Sequence, residues 1–252
     1  VLIHIAEWEP FSRATPALAK RLTAEATTAV VGAAAECPAL EHLVVRSGTE
    51  VYGRARNAPT RPDESTPLAP TSDYGRTLAE IEASAAAVAK RIGITTTALR
   101  LAPVLGPHVP SPLGRLLRQP AVPFSLLADS PFDVIMETDA ARAFVAAAAR
   151  RVNGPVNAVA PGAITALQAI LRGKRIPIPL IGPEWQIARR ISQMFGAPVP
   201  DHVIELMHRG RLADGGRMEE LLGINPECST PEVIDRLFAW ETVVRFTKEA
   251  AA

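Results

Sequence analysis

Cysteine is nearly absent: Cys37 and Cys228 are the two in 252 residues. They lie far apart without a C-x-x-C partner, which excludes a disulfide scaffold and a thiolate zinc site and points to a reducing, cytoplasmic setting. Neither sign of charge dominates, with 27 basic against 26 acidic residues and a formal net charge of +1. No broad basic field is left to hold a polyanion, so nucleic acid is excluded as a partner. Among five histidines the one close pair is His202 and His208. Their six-residue spacing turns about 600° around a helix, away from the i,i+4 geometry of a zinc helix, and no metal site is expected. Long apolar runs are missing too. The stretch from Val152 to Leu171 is broken by Asn153, Gly154, Pro155, Asn157, Pro161 and Gly162, a composition that does not span a membrane. The opening residues lack the charged region of an export signal.

What is present alternates strand and helix patterns. Val1 to Ala6 reads as a buried strand. Thr15-Pro16 supplies an N-cap and a first-turn proline for a helix to about Ala35. Glu41 to Ser47 is a second strand, and Arg54 to Thr71 is a proline-rich loop. Asp73 is expected to cap a helix from Tyr74 to about Arg91, and Thr95 to Leu101 forms a third strand before the turn Pro103 to Pro107. Strands separated by helices of this length make βαβ units, hence an α/β fold with a parallel, doubly wound sheet. Further on, the sequence predicts a short helix from Leu113 to Arg118, a strand from Phe132 to Met136 and an alanine-rich helix from Thr138 to Arg150. A strand over Val156 to Val159 and a last helix from Thr230 to Phe246 follow. Ser229 and Glu232 have the spacing of a capping box there. The division expected is a sheet domain over residues 1–107 and a smaller, mostly helical cap over 108–252, with some segments returning to the sheet.

Several segments, in order and at matching spacing, resemble the extended short-chain dehydrogenase/reductases, the NAD-dependent epimerase/dehydratase family. They are His4-Ile5-Ala6; Ser47-Gly-Thr-Glu-Val-Tyr-Gly53; Glu64-Ser-Thr-Pro67-Leu-Ala-Pro70-Thr-Ser-Asp-Tyr74-Gly75; and Leu99-Arg100-Leu-Ala-Pro-Val-Leu-Gly-Pro107. Thr138-Asp139-Ala-Ala-Arg142-Ala143, and the run from Asp214 to Gly223 continued by Pro226, Ser229, Glu232 and Trp240, extend the match. The resemblance implies a Rossmann-like fold, NAD or NADP as cofactor, and a nucleotide sugar as the small-molecule substrate, handled by transient hydride transfer. It implies Tyr74 as the catalytic acid/base, with Ser47 or Thr49 as the accompanying hydroxyl. Ala6, Ala102 and Pro103 are implied to border the cofactor. A homodimer is a further expected assembly.

The chain departs from that pattern in three places. The family's lysine, four residues beyond the tyrosine, is Leu78 here. Arg76, two residues on, turns about 200° away from Tyr74 and is badly placed to substitute. A phenol with no cation beside it titrates near pH ~10, leaving roughly one phenolate in a thousand at neutral pH. The hydroxyl position falls on Gly48, and the flanking Ser47 and Thr49 point to the other face of a regular strand unless a bulge intervenes. No strand is followed by the G-x-x-G-x-x-G turn that holds a pyrophosphate. The sequence opens within a strand and without Met, as a piece of a longer protein would, and weak dinucleotide binding is expected of it. Two readings follow from these departures: an enzyme with weakened catalysis, and a family member that binds a nucleotide or a protein partner without turnover.

Other residues carry simpler expectations. His4 is read as a satisfied strand histidine, Tyr52 as a packing residue, and Arg100 as either an ion-pair partner or a substrate contact. Arg172, Lys174, Arg175, Arg189 and Arg190 flank the apolar run Ile176 to Trp185. This is most simply a solvated basic face, with weak contact to an anionic membrane surface as the sharper reading.

Overall fold

The structure, a computed structural model, describes residues 1–7, 15–55, 57–107, 109–181 and 199–239. Four parallel strands make the main sheet, in the order β1 (Leu2–His4), β2 (His42–Gly48), β3 (Thr95–Leu101) and then Gly154–Ala158. Register is continuous: Leu2 lies beside Leu43, Gly48 beside Leu101, and Leu101 beside Ala158. Strand β2 carries Leu43, Val44 and Val45 in succession, all buried. Such an unbroken apolar run marks a strand covered on both faces. The chain is therefore an α/β protein with a parallel sheet, as the strand–helix alternation predicts, and the sheet is Rossmann-like, as the resemblance implies.

The helices begin where local chemistry satisfies their free amides. Thr15 caps α1 (Pro16–Ala34), its side chain accepting from the Leu18 N–H at 3.3 Å. Helix α2 (Asp73–Ile92) is capped by Ser72 and not by Asp73: the Ser72 Oγ accepts from the Gly75 N–H at 3.1 Å. Asp73 instead occupies the first turn, where the helix dipole favours an acid, and receives the Arg76 guanidinium at 2.5 Å. Leu78, Ile81, Ala85 and Ala89 recur on one face of α2 and are buried against the sheet, the stripe of an amphipathic helix. Gly93 ends α2 in the left-handed conformation at φ 73°, which glycine adopts without cost.

A polar chain runs beneath the sheet. Arg100 donates to both oxygens of Glu82 at 2.9 and 2.7 Å and to the Tyr52 oxygen at 2.9 Å. Tyr52 donates to Asn157 Oδ1 at 2.7 Å, and burial pushes its phenol pKa up. These contacts tie β3, α2, the turn Thr49–Tyr52 and the strand Gly154–Ala158 together. They assign Arg100 to an ion pair and Tyr52 to packing. His4 is likewise satisfied by Thr27 Oγ1 at 3.1 Å.

The strand expected over Phe132 to Met136 is two short pieces, Pro131–Phe132 and Ile135–Met136. Residues between them bond to other parts of the chain: Asp133 N–H donates to the Arg211 carbonyl, and Ala160 N–H to the Val134 carbonyl. A second core gathers Leu113, Leu117, Phe132, Ile164, Ile170 and Leu206 with the helix Thr230–Ala239. At the start of that helix Glu232 accepts both the Ser229 N–H and hydroxyl at 2.7 Å. Strand Ile176–Leu180 pairs in parallel with Ala121–Ser125, leaving Ile176 and Ile178 exposed. Trp185, Arg189, Arg190 and Trp240 lie outside the described residues. No described helix is long and apolar enough to cross a membrane.

Candidate active site

Open parallel sheets place their ligand sites beyond the carboxyl ends of the strands. At that edge Gly48 and Leu101 end β2 and β3 side by side. Beyond them lies a cleft whose floor includes Gly48, Ala102 and Pro103 and whose walls carry Tyr74, Glu50 and His202. The helix Asp201–Arg209 brings His202 over this edge.

Tyr74 enters from the first turn of α2. Its ring stacks on His202 with centroids 4.4 Å apart and planes 28° from parallel. Its hydroxyl donates to Glu7 Oε1 at 2.6 Å. The Arg46 guanidinium pairs with that same carboxylate. His202 is buried, and desolvation drives its pKa down to about 4, so the imidazole is neutral.

A second cluster closes the other side. Arg211 is 1% exposed and donates to Glu50 Oε1 at 2.8 Å and to Glu205 Oε2 at 3.3 Å. Thr71 donates its hydroxyl to Glu205. The remaining oxygen of Glu50 fills the space above Gly48. A Cβ built on Gly48 would stand 2.2 Å from Glu50 Oε2 and 3.0 Å from Leu78 Cδ1.

The residues implied by the resemblance separate here. Tyr74, Ala102 and Pro103 meet in the cleft. Ala6 is exposed beyond β1 and is not among the lining residues. Ser47 borders the cleft, but its hydroxyl is donated to Glu82 at 2.5 Å. Strand β2 ends at Gly48, and Thr49 opens a 3₁₀ turn through Tyr52. The Thr49 side chain is fully buried outside the cleft lining, with no hydrogen-bond partner for its hydroxyl among the described residues. Leu78 is 1% exposed and packs in the core, so the lysine position is filled by buried hydrocarbon outside the cleft lining.

Glu7, Glu50, His202 and Arg211 were not among the residues that sequence patterns single out. Glu50 sits inside the Ser47–Gly53 motif, yet the motif directs attention to a hydroxyl. His202 carries a signal only as a metal ligand, and no cluster of metal-binding side chains occurs among the described residues. The small, apolar floor of Ala102 and Pro103 suits the flat face of a nicotinamide. No glycine-rich turn opening a helix after a strand occurs among the described residues to cradle a pyrophosphate. The residues present thus fit one end of a dinucleotide.

Residues 1–160 match the NAD dependent epimerase/dehydratase family. An uncharacterized protein of Mycobacterium tuberculosis strain H37Rv is 30% identical over 237 residues, covering 92% of this chain. The chain spans 63% of that relative's length. Among solved structures, a UDP-glucuronic acid 4-epimerase from Bacillus cereus in complex with NAD superposes with a TM-score of 0.70 at 17% identity, over 94% of this chain and 73% of its own. A UDP-glucose 4-epimerase with UDP-glucose from Thermotoga maritima gives 0.66 at 18% identity, over 94% and 75%. At these identities the superpositions establish the shared fold.

Proposed function

The chain belongs to the NAD dependent epimerase/dehydratase family, and on that premise we propose that it acts on a nucleotide sugar by transient NAD(P)-dependent hydride transfer, with weakened proton transfer. The observation that carries this reading is the meeting of Tyr74, Ala102 and Pro103 in one cleft at the carboxyl ends of the strands. Ala102 and Pro103 would border the nicotinamide, which when bound supplies the hydride acceptor and donor. The sugar would lie between the sheet edge and the helix Asp201–Arg209, with Tyr74 facing the reacting carbon.

Tyr74 already donates its proton to Glu7. A proton leaving a substrate hydroxyl therefore passes to the phenolic oxygen as the phenolic proton moves onto Glu7. Arg46 pairs with the same carboxylate, so that second transfer places the proton on a group already engaged by a cation. With Leu78 in the lysine position, nothing on α2 offsets this. His202, neutral and stacked on the phenol, fixes the ring's orientation.

Titration with NAD(H) and NADP(H), followed by an assay with UDP-sugars, tests the reading. Binding and a slow turnover that Tyr74→Phe lowers by about 10²-fold or more support it. Absence of both dinucleotide and nucleotide-sugar binding overturns it. The second reading, a non-catalytic nucleotide-binding member, is favoured by the buried Leu78. It predicts sugar-nucleotide binding without turnover.

A further inference from the structure

Resting on the nucleotide-sugar reading, we infer that Glu50 makes this centre select a neutral, hydroxyl-bearing sugar over a uronic acid. The carboxylate is fixed in place. Oε1 is held by Arg211 at 2.8 Å, and Arg211 is itself buried and held from the other side by Glu205 at 3.3 Å. Oε2 projects over the end of β2, within 2.2 Å of where a side chain on Gly48 would begin. Glycine at 48 is what makes room for it.

An ionised carboxylate accepts hydrogen bonds and donates none. A ligand atom meeting Glu50 must therefore be a donor, as a sugar hydroxyl is. A ligand carboxylate would bring two like charges together in a partly desolvated cleft, a juxtaposition that weakens binding strongly. The cleft offers little to offset this. Among the described residues, the two cationic side chains lining it are already engaged, Arg46 by Glu7 and Arg211 by Glu50 and Glu205. His202 is neutral. Arg54 and Arg209 lie on the far side of this cluster, where each guanidinium donates to the other's carbonyl, and neither lines the cleft.

The test is calorimetric affinity for UDP, UDP-glucose and UDP-glucuronic acid in the wild type, Glu50→Gln and Glu205→Gln. The common nucleotide cancels in the ratio of the two sugars. The wild type is expected to favour UDP-glucose by about tenfold or more, the worth of one hydrogen bond to a charged group. Glu50→Gln, whose amide can also donate, is expected to bring the two within about threefold. Glu205→Gln disturbs Arg211 equally but leaves the acceptor over Gly48, and is expected to keep the wild-type ratio. Should Glu50→Gln fail to fold, the pair Glu50→Leu with Arg211→Met removes both charges together and is expected to lose the preference too. Equal or tighter wild-type binding of UDP-glucuronic acid overturns the inference, as does an unchanged ratio in the Glu50 variants. Binding of UDP with no contribution from either sugar overturns it while leaving nucleotide recognition intact. Failure of all three ligands to bind removes the nucleotide-sugar reading and this inference with it.

Discussion

Gly48→Ala is expected to cost about 2 kcal/mol of stability, although the backbone there welcomes a side chain. Gly48 has φ −150° and ψ 160°, ordinary extended geometry. Alanine at such a site usually stabilises by about 0.4–1 kcal/mol through the unfolded chain. The added methyl would nevertheless fall 2.2 Å from Glu50 Oε2 and 3.0 Å from Leu78 Cδ1. A carboxylate at the end of a flexible side chain commonly swings aside at little cost. Here swinging aside means leaving Arg211, which is 1% exposed and would retain Glu205 alone. Breaking a buried pair outright costs about 3–5 kcal/mol. Keeping the second partner and subtracting the backbone gain brings the figure to about 2 kcal/mol. Urea unfolding followed by far-UV circular dichroism measures it. The double variant Gly48→Ala with Glu50→Ala removes the clash, so a cycle should show coupling of at least about 1 kcal/mol. A neutral or stabilising Gly48→Ala, or strict additivity in the cycle, would refute the argument that Arg211 pins this carboxylate.

Leu78→Lys is expected to raise any oxidoreductase or epimerase rate, with Tyr74→Phe abolishing the gain. If a folded Leu78→Lys shows no gain over a substantial wild-type rate, another residue performs the lysine's role. The new ammonium would also reach Glu50, because Leu78 Cδ1 and Glu50 Oε2 crowd the same point above Gly48. Two buried groups give opposing pH dependences of stability. Burial depresses His202 to about 4 from 6.5, so the unfolded chain binds the extra proton and stability falls as pH drops from about 6.5 to about 4. His202→Phe keeps the stack and should remove that loss in acid-unfolding curves. Burial raises Asp133 from 3.8 to about 7, so the folded chain binds the extra proton and stability falls as pH rises through that window. Asp133→Asn should flatten this slope, and an unaltered slope would show that Asp133 is not the group responsible.

Much of the framework is legible where the local signals agree. Thr95 to Leu101 is predicted to the residue because its β-branched run lies between Gly93 and Pro103. The start of α2 is not, since Ser72 and Asp73 are both good caps and only tertiary placement decides between them. The expected strand over Phe132 to Met136 fails because Asp133 and Val134 bond to segments far along the chain. In the cleft, Tyr74, Ala102 and Pro103 follow from motif positions. Glu50 and Arg211 do not, because a pair separated by 161 residues leaves no spacing pattern to read.

That same separation sets an order of events during synthesis. The wall of the cleft formed by Glu50 is held in place only once Arg211, 161 residues further along, has emerged and docked. Until then a nascent or half-docked molecule has no anchored acceptor over Gly48, and closing so long a loop is among the slower steps of folding. The position of this carboxylate therefore reports docking: only a polypeptide that has brought these two distant segments together holds Glu50 over Gly48.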